Sequence, residues 1–317
     1  MYQEILIQTI QKKLLPSVSI IDEISVVLSI SYDASHRRVS LKSKFSIEET
    51  ILLCKHYRIS MDRIFNQQNQ VLVEKTKEIK SFEDMVLYFE QSVSYLKKYS
   101  SKSDTAFLYP AKDIPLYYTI GGTLLSKFKL YVWLNLLQGI DQQESFDNFQ
   151  PPVSLQEHSS YLKKIYDSVS VIEIWNDTTI NSTIQQIIYF YESGLVSLSQ
   201  ALLLYDDVKQ ILHDAEKKCN AVNSKYQLYY NELLTLNNNV IVSCSEFKTL
   251  FVPYTVLGYF ITEDSETCQN SYDYFMNQLK NSKSLNLSGK KDRKIFFNRM
   301  HQKIEFHKVK IENYIIE

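Results

Sequence analysis

Apolar residues recur every three or four positions near the start of the chain, a spacing that predicts short amphipathic helices. Ile21, Ile24 and Val27 fall on one side of the first of these, IIDEISVVL. After a two-residue turn, Ser31 can cap a second helix that runs to Val39. Two short helices joined by so tight a turn are typical of a helix-turn-helix unit. A capping box, SIEE, then starts a third helix.

The second helix, 31–39, has an inward and an outward face. Ser35 and Val39 point toward the core, whereas the outward side is polar and aromatic. In the major groove of DNA an arginine can fork onto guanine and an aspartate can accept from cytosine. The pattern therefore predicts DNA base contacts from Tyr32, Asp33, His36 and Arg37. Phosphate contacts, which set register without reading sequence, are predicted from Ser31, Lys42 and Lys44.

Plainer interpretations of the same face stay open. A helical bundle whose polar side is simply solvated would show the same pattern. Asp33 and Arg37 are also spaced for an ion pair within the helix, which would be worth only a few tenths of a kcal/mol.

The stretch ISYDASHRRVSLKSKFSIEETILLCKHYRISMDRIF, residues 30–65, resembles the helix-turn-helix head of repressor-like transcription regulators. It is most similar to a group from Bacteroidetes-type bacteria. The later stretches LYPAKDIPLYY, FKLYVW and SLNLSGKKDRKIFFNRM also look similar to the long C-terminal part of that group. The resemblance implies a DNA-binding fold and a regulatory role for the head; for the rest of the chain it implies only membership.

Beyond a polar linker at 66–70 the pattern changes to longer helices, with a break at Pro151-Pro152. The segment TAFLYPAKDIPLYY alternates poorly and holds two prolines, which favours a short extended piece over a central strand. The β-branched and aromatic runs between 226 and 262 predict a small antiparallel meander of two or three strands. Packed on helices, this strand layer would frame a pocket lined by Tyr, Phe and Leu.

These elements predict a mainly α protein in two parts. An N-terminal repressor-like helix-turn-helix bundle over 1–68 is followed by a larger helical α+β body over 71–317, with a further boundary near residue 150. The chain has only six Gly and six Pro, which argues against a doubly wound nucleotide-binding fold. The size of the body suggests a sensing domain for an unidentified small-molecule effector; an oligomerisation body without any ligand is the alternative.

The net charge of the chain indicates little about the kind of partner that it binds. The whole chain carries a net charge of −1, and residues 1–68 hold nine Lys and Arg against seven Asp and Glu. Residues 285–317 are more basic, with eight against four. A second anion or DNA-backbone contact is therefore conceivable at Lys290, Lys291 and Arg293, ahead of a helix. A solvated cationic helix is the commoner explanation of such a segment.

Signatures of catalysis are missing from the sequence. There is no HExxH, no GxSxG and no P-loop, and Asp113 has no identifiable partner. The four cysteines form no CxxC pair and have no His at metal spacing, so reduced thiols in a cytoplasmic protein are expected. We predict no catalysis, no cofactor, no metal and no membrane span.

The sequence thus predicts a transcriptional regulator that binds double-stranded DNA as a homodimer, because one head reads only a half-site. The apolar faces of helices at 82–99 and 124–136 are candidate dimer seams, although core packing within one chain explains both equally well. The rival is a non-enzymatic protein-interaction scaffold in which the head is a packing or dimerisation module.

Overall fold

A computed structural model describes residues 2–15, 18–57, 59–61, 70–100, 102–138, 144–221, 225–233, 236–286 and 290–313. The chain divides into two compact units, Met1–Leu72 and Val73–Glu317. We refer to them as the head and the body. Most of the predicted linker at 66–70, and of the turn MDRIF before it, lies outside the described residues.

The described head is helical. Its four helices are α1 (Tyr2–Gln11), α2 (Ile20–Leu28), α3 (Tyr32–Val39) and α4 (Ile47–His56). Ser19, Ser31 and Ser46 each cap the next helix, because their side-chain oxygens accept from a backbone N–H of its first turn. The predicted caps at Ser31 and Ser46 are therefore confirmed.

The head has its own small core, built from α1, α2, α4 and the residue Ile59, with Val39 of α3 packed against it. Its buried members are Leu6, Ile10, Ile24, Leu53, Cys54 and Ile59. Apolar burial of this kind is the main source of stability for helices too short to persist alone in water.

The body contains a mixed sheet of eight strands among the described residues, in the order β1-β7-β6-β5-β2-β3-β4-β8. The strands are β1 (Glu74–Lys75), β2 (Ala106–Pro110), β3 (Ser170–Trp175), β4 (Tyr226–Tyr230), β5 (Val240–Ser243), β6 (Lys248–Pro253), β7 (Tyr259–Thr262) and β8 (Lys283–Ser284). Strands β2, β3 and β4 pair in parallel, with Phe107 opposite Val171 and Val171 opposite Tyr226. The other pairs are antiparallel.

The predicted fold class, mainly α with a small antiparallel meander, is wrong. Strands β5, β6 and β7 do form a meander, but it continues into a parallel centre that was not expected. Residues 106–110, interpreted as a short extended piece, form the central strand β2, and Tyr226–Tyr230 pairs with β3 rather than with the meander. Strands that are buried on both faces carry continuous apolar runs, so a search for alternating apolar and polar residues does not find them.

Seven helices of the described body cover the sheet: α5 (Phe82–Ser100), α6 (Leu124–Gln138), α7 (Val153–Ser168), α8 (Asn181–Glu192), α9 (Leu198–Asn220), α10 (Ser265–Lys280) and α11 (Lys290–Glu312). One short 3₁₀ turn spans Leu116–Tyr118. Helix α10 packs on one sheet face, where Phe275 meets Leu108 and Ile174. The main core lies on the opposite face, where Phe107 and Trp175 pack under the other helices.

The two helices proposed as dimer seams belong to this main core. Phe89 of α5 and Phe128 of α6 are both fully buried inside one chain. Of the two explanations held open for these apolar faces, the structure therefore shows core packing.

A buried carboxyl lies among tyrosines on the face of β3 that points into the main core. Glu173 is fully buried and accepts hydrogen bonds from the hydroxyls of Tyr118 (3.2 Å), Tyr226 (2.9 Å) and Tyr166. Burial raises its pKa above the ordinary carboxyl value, although the three hydroxyls oppose that shift.

Among the described helices, none combines the length and the apolar character that crossing a bilayer requires.

Candidate nucleic-acid interface

The residues predicted to read DNA bases lie together on the outer face of α3. Tyr32 is 54% exposed, and Asp33, His36 and Arg37 are exposed as well. In the described part of the chain, the side chains of Asp33, His36 and Arg37 form no hydrogen bond or ion pair with protein groups, and the alternative Asp33–Arg37 ion pair is not formed. This face is therefore available to a partner.

Helix α3 is held against α2 by a buried serine. The hydroxyl of Ser35 donates to the carbonyl oxygen of Ile21 over 2.7 Å, and Ser35 is fully buried. Between the helices Ser29 adopts the left-handed conformation, with φ of 53°, which ends α2 and lets the chain turn into α3. The predicted inward position of Ser35 is confirmed.

A second clamp joins α3 to α4 through an arginine that sequence reasoning left out. Arg38 forks onto Glu49, with Nε 2.9 Å from Oε2 and Nη2 2.7 Å from Oε1. Oε2 of Glu49 also accepts from the backbone N–H of Ser46 over 2.9 Å, which completes the capping box. The guanidinium of Arg38 holds the pKa of Glu49 below its ordinary value. One carboxylate thus starts α4 and fixes α3 to it.

The loop after α3, residues 40–46, is fastened by a glutamine from α1. Nε2 of Gln3 donates to the carbonyl oxygens of Arg38 and Ser43, each over 2.9 Å, and its Oε1 accepts from the N–H of Phe45 over 3.2 Å. Lys42 and Lys44, predicted to hold phosphates, are exposed on this loop. Gln3 therefore orders the segment that carries both lysines.

Ser31 is exposed and already has a structural task. Its Oγ accepts from the N–H of Ala34 over 3.3 Å as the cap of α3. A capping hydroxyl uses a lone pair for this bond and keeps its O–H free to donate, so a phosphate contact remains chemically open to it.

The basic residues near the C-terminus are not brought onto one surface. Lys290 and Lys291 are exposed at the start of α11. Arg293 is buried, and its Nη1 donates to the carbonyl oxygens of Leu285 (3.0 Å) and Asn286 (3.1 Å). The loop residues 287–289 between them lie outside the described residues.

Asp113, which lacked a partner in the sequence, acquires two from distant elements. It accepts from the hydroxyl of Ser182 (2.5 Å) and from Nδ2 of Asn238 (3.2 Å). Nearby, the buried Nζ of Lys129 donates to Oε1 of Gln186 over 2.7 Å, and burial lowers the pKa of this lysine to about 8. These two bonds tie the loop 111–115, which follows β2, to α8 and to the segment before β5.

Within the described ranges, no group of three or more His, Cys, Asp and Glu side chains has the arrangement of a metal site. The four cysteines are free thiols, and all are buried. Burial raises the pKa of the Cys54 thiol.

No protein-family model, no curated protein and no solved structure matches the chain.

Proposed function

We propose that the head binds double-stranded DNA sequence-specifically, with α3 in the major groove, and that the chain regulates transcription in the cytoplasm. The observation that carries the proposal is the outer face of α3. Tyr32, Asp33, His36 and Arg37 lie on consecutive turns of a capped helix, and the helix is fixed from behind by Ser35 and Arg38. Rigid placement of a few polar side chains is what reading of base edges requires.

Local charge supports the same orientation. Arg37, Lys42 and Lys44 place three cations beside one carboxylate, Asp33, at the outer face of α3 and the loop after it. The two lysines give phosphate contacts that set register. With so few such contacts, affinity should fall only gently with salt, by a slope of about −0.9 per phosphate neutralised.

Selection of binding sites from random duplexes, followed by fluorescence anisotropy on the full chain, tests the proposal. Arg37→Ala should cost about 1–3 kcal/mol on the selected site and relax the preference at one base position. Lys42→Ala should weaken all sequences alike. Equal, weak binding to every sequence, or no binding at low salt, would exclude a sequence-specific regulator.

Lys12→Ala is the matched control. It removes the same charge as Lys42→Ala, but Lys12 follows the far end of α1 from Gln3, which holds the lysine loop. It should leave affinity and sequence preference as in the wild type. A loss equal to that of Lys42→Ala would mean that overall charge, and not the loop, attracts DNA.

One observation favours the second candidate, a protein-interaction scaffold. The outer side of α4 exposes Ile47 (75%), Ile51 (43%) and Leu52 (50%), and apolar groups suit a protein partner better than a phosphate backbone. Under this alternative the head binds no DNA, and Ile51→Asp changes the mass of the particle measured by light scattering.

A further inference from the structure

The body contains a cavity of about 150 Å³, partly open to solvent, between its sheet and two helices. Helices α5 and α7 and the 3₁₀ turn form one wall, and β2, β5, β6 and β7 form the other. Apolar side chains supply most of the lining, among them Leu96, Leu116, Leu162, Val240, Phe251 and Ile261. A pocket lined by Tyr, Phe and Leu at the strand layer was predicted from the sequence, and the cavity lies there.

Four tyrosines are among the uncharged polar residues of the lining, together with Thr76, Gln91, Ser92 and Tyr95. Tyr88, Tyr109, Tyr117 and Tyr259 all line the cavity, and Tyr109 and Tyr117 are only 4% and 9% exposed. Within the described residues, the hydroxyls of Tyr109, Tyr117 and Tyr259 have no hydrogen-bond partner in the protein. None of them is among the polar atoms sealed from solvent. They therefore face the cavity space.

The four tyrosines also influence one another electrostatically. Burial is the first cause that raises the pKa values of Tyr88, Tyr109 and Tyr117, and the charge of an ionised Tyr259 is the next. All four tyrosines line the same cavity.

Several other buried tyrosines of the described body are paired, although the hydroxyl of Tyr205, which is sealed from solvent, has no partner. Tyr118, Tyr166 and Tyr226 donate to Glu173, and Tyr99 bonds to Thr249. Buried polar groups nearly always have a partner, because an unmet hydroxyl costs free energy in an apolar surrounding. Hydroxyls that have no protein partner and open into one cavity are free to bond to a molecule bound there.

Size and charge restrict that molecule. An engineered apolar cavity of about 150 Å³ accepts benzene, so one six-membered ring fills a space of this size. The charged lining residues, Glu74, Lys75 and Lys77, are exposed and lie on or next to the edge strand β1. No charged residue lines the inner part among the described residues, so an anion there would stay uncompensated.

We propose that this cavity binds a neutral, single-ring molecule that carries hydroxyl or carbonyl groups. The apolar walls take the ring, and the tyrosine hydroxyls, which both donate and accept, take its polar substituents. The proposed ring-binding site does not depend on the proposed DNA contact, so a failure of one proposal leaves the other untouched.

Isothermal titration calorimetry on the full chain tests the site with four probes of similar size: phenol and resorcinol, toluene, which cannot hydrogen-bond, and benzoate, which is charged. Resorcinol should bind one to one, more tightly than toluene or benzoate. Tyr109→Phe and Tyr259→Phe each keep the ring and remove the hydroxyl. Each should therefore lower the affinity for resorcinol by about 2–10-fold. Tyr274→Phe, an exposed position on α10, is the matched control and should change nothing.

A blocked entrance provides a second variant that spares the core. Gln91 is exposed and lines the cavity from α5, so Gln91→Trp should abolish binding without unfolding the body. Three results would overturn the proposal: no heat from any neutral probe at millimolar concentration, binding unchanged in Tyr109→Phe and Gln91→Trp, or benzoate binding as tightly as resorcinol.

Discussion

Glu173 is the residue whose surroundings make the clearest pH prediction. Its pKa is raised in the folded body, first by burial, so folding favours the protonated form. The stability that this group contributes is complete below the pKa of the unfolded chain and is lost as the pH rises through the folded value. Since the ordinary value is 4.5, the loss begins in mildly acidic solution.

Glu173→Gln should therefore raise the unfolding temperature of the full chain at pH 8 and give little gain at pH 5. The amide keeps an acceptor for the tyrosine hydroxyls and carries no charge. Thermal unfolding followed by circular dichroism between pH 5 and 8 measures this. Glu157→Gln, at an exposed position on α7, removes the same charge and should leave the pH profile unchanged. Equal destabilisation by Glu173→Gln at every pH would contradict the prediction.

Some residues of the candidate interface were predictable because their bonds are local. Ser31 and Ser46 bond to backbone groups three residues ahead, and that spacing is visible in the sequence. Gln3 was not predictable, because its partners lie up to 42 residues away and a glutamine has no fixed preference for them. Arg38 was missed for a similar reason: its partner belongs to another helix.

At the scale of elements, α3 and α4 act as one unit through Glu49. Glu49→Ala removes both the fork from Arg38 and half of the capping box. It should cost the head about 1–3 kcal/mol. Hydrogen exchange of peptides covering 32–56 in the full chain should show faster exchange in both helices. Glu48→Ala, at an exposed position one residue away, removes neither of these bonds and should leave the exchange of α3 unchanged. Exchange that rises in α4 alone would show that Arg38 does not couple the helices.

The strands explain why the fold class was mispredicted. In β3, SVIEIW, the charged Glu173 interrupts an apolar run. No Gly or Pro separates this strand from α7. The sequence therefore did not predict a strand here. In β2, Phe107, Leu108 and Tyr109 are all buried, which is typical of a strand covered on both faces. The Pro110 that argued against a strand ends it, where no further ladder bond is needed. The meander strands were predicted from their β-branched and aromatic runs, which do not depend on alternation.

For the whole molecule we predict a homodimer, since specific sites are usually read as two half-sites about 34–36 Å apart. Light scattering at micromolar concentration should give twice the chain mass of 37.2 kDa. Selected DNA sites should be inverted repeats with centres about 10–10.5 base pairs apart. A particle of one chain mass, together with single half-sites, would contradict this. Its interface cannot use the buried faces of α5 and α6.

Strand β1 is synthesised long before β7, the strand with which it pairs at the edge of the sheet. Thr76, next to β1, and Tyr259 of β7 are joined by a hydrogen bond and lie 183 residues apart in the sequence. Within the described head, hydrogen-bonded residues are at most 42 positions apart. At about 5–20 residues per second, β1 emerges on the order of 10–40 s before its partner strand exists. During synthesis the head can already be complete while the tyrosine-lined cavity still lacks a wall, so the nascent chain would acquire its helix-turn-helix surface before its ring-binding site.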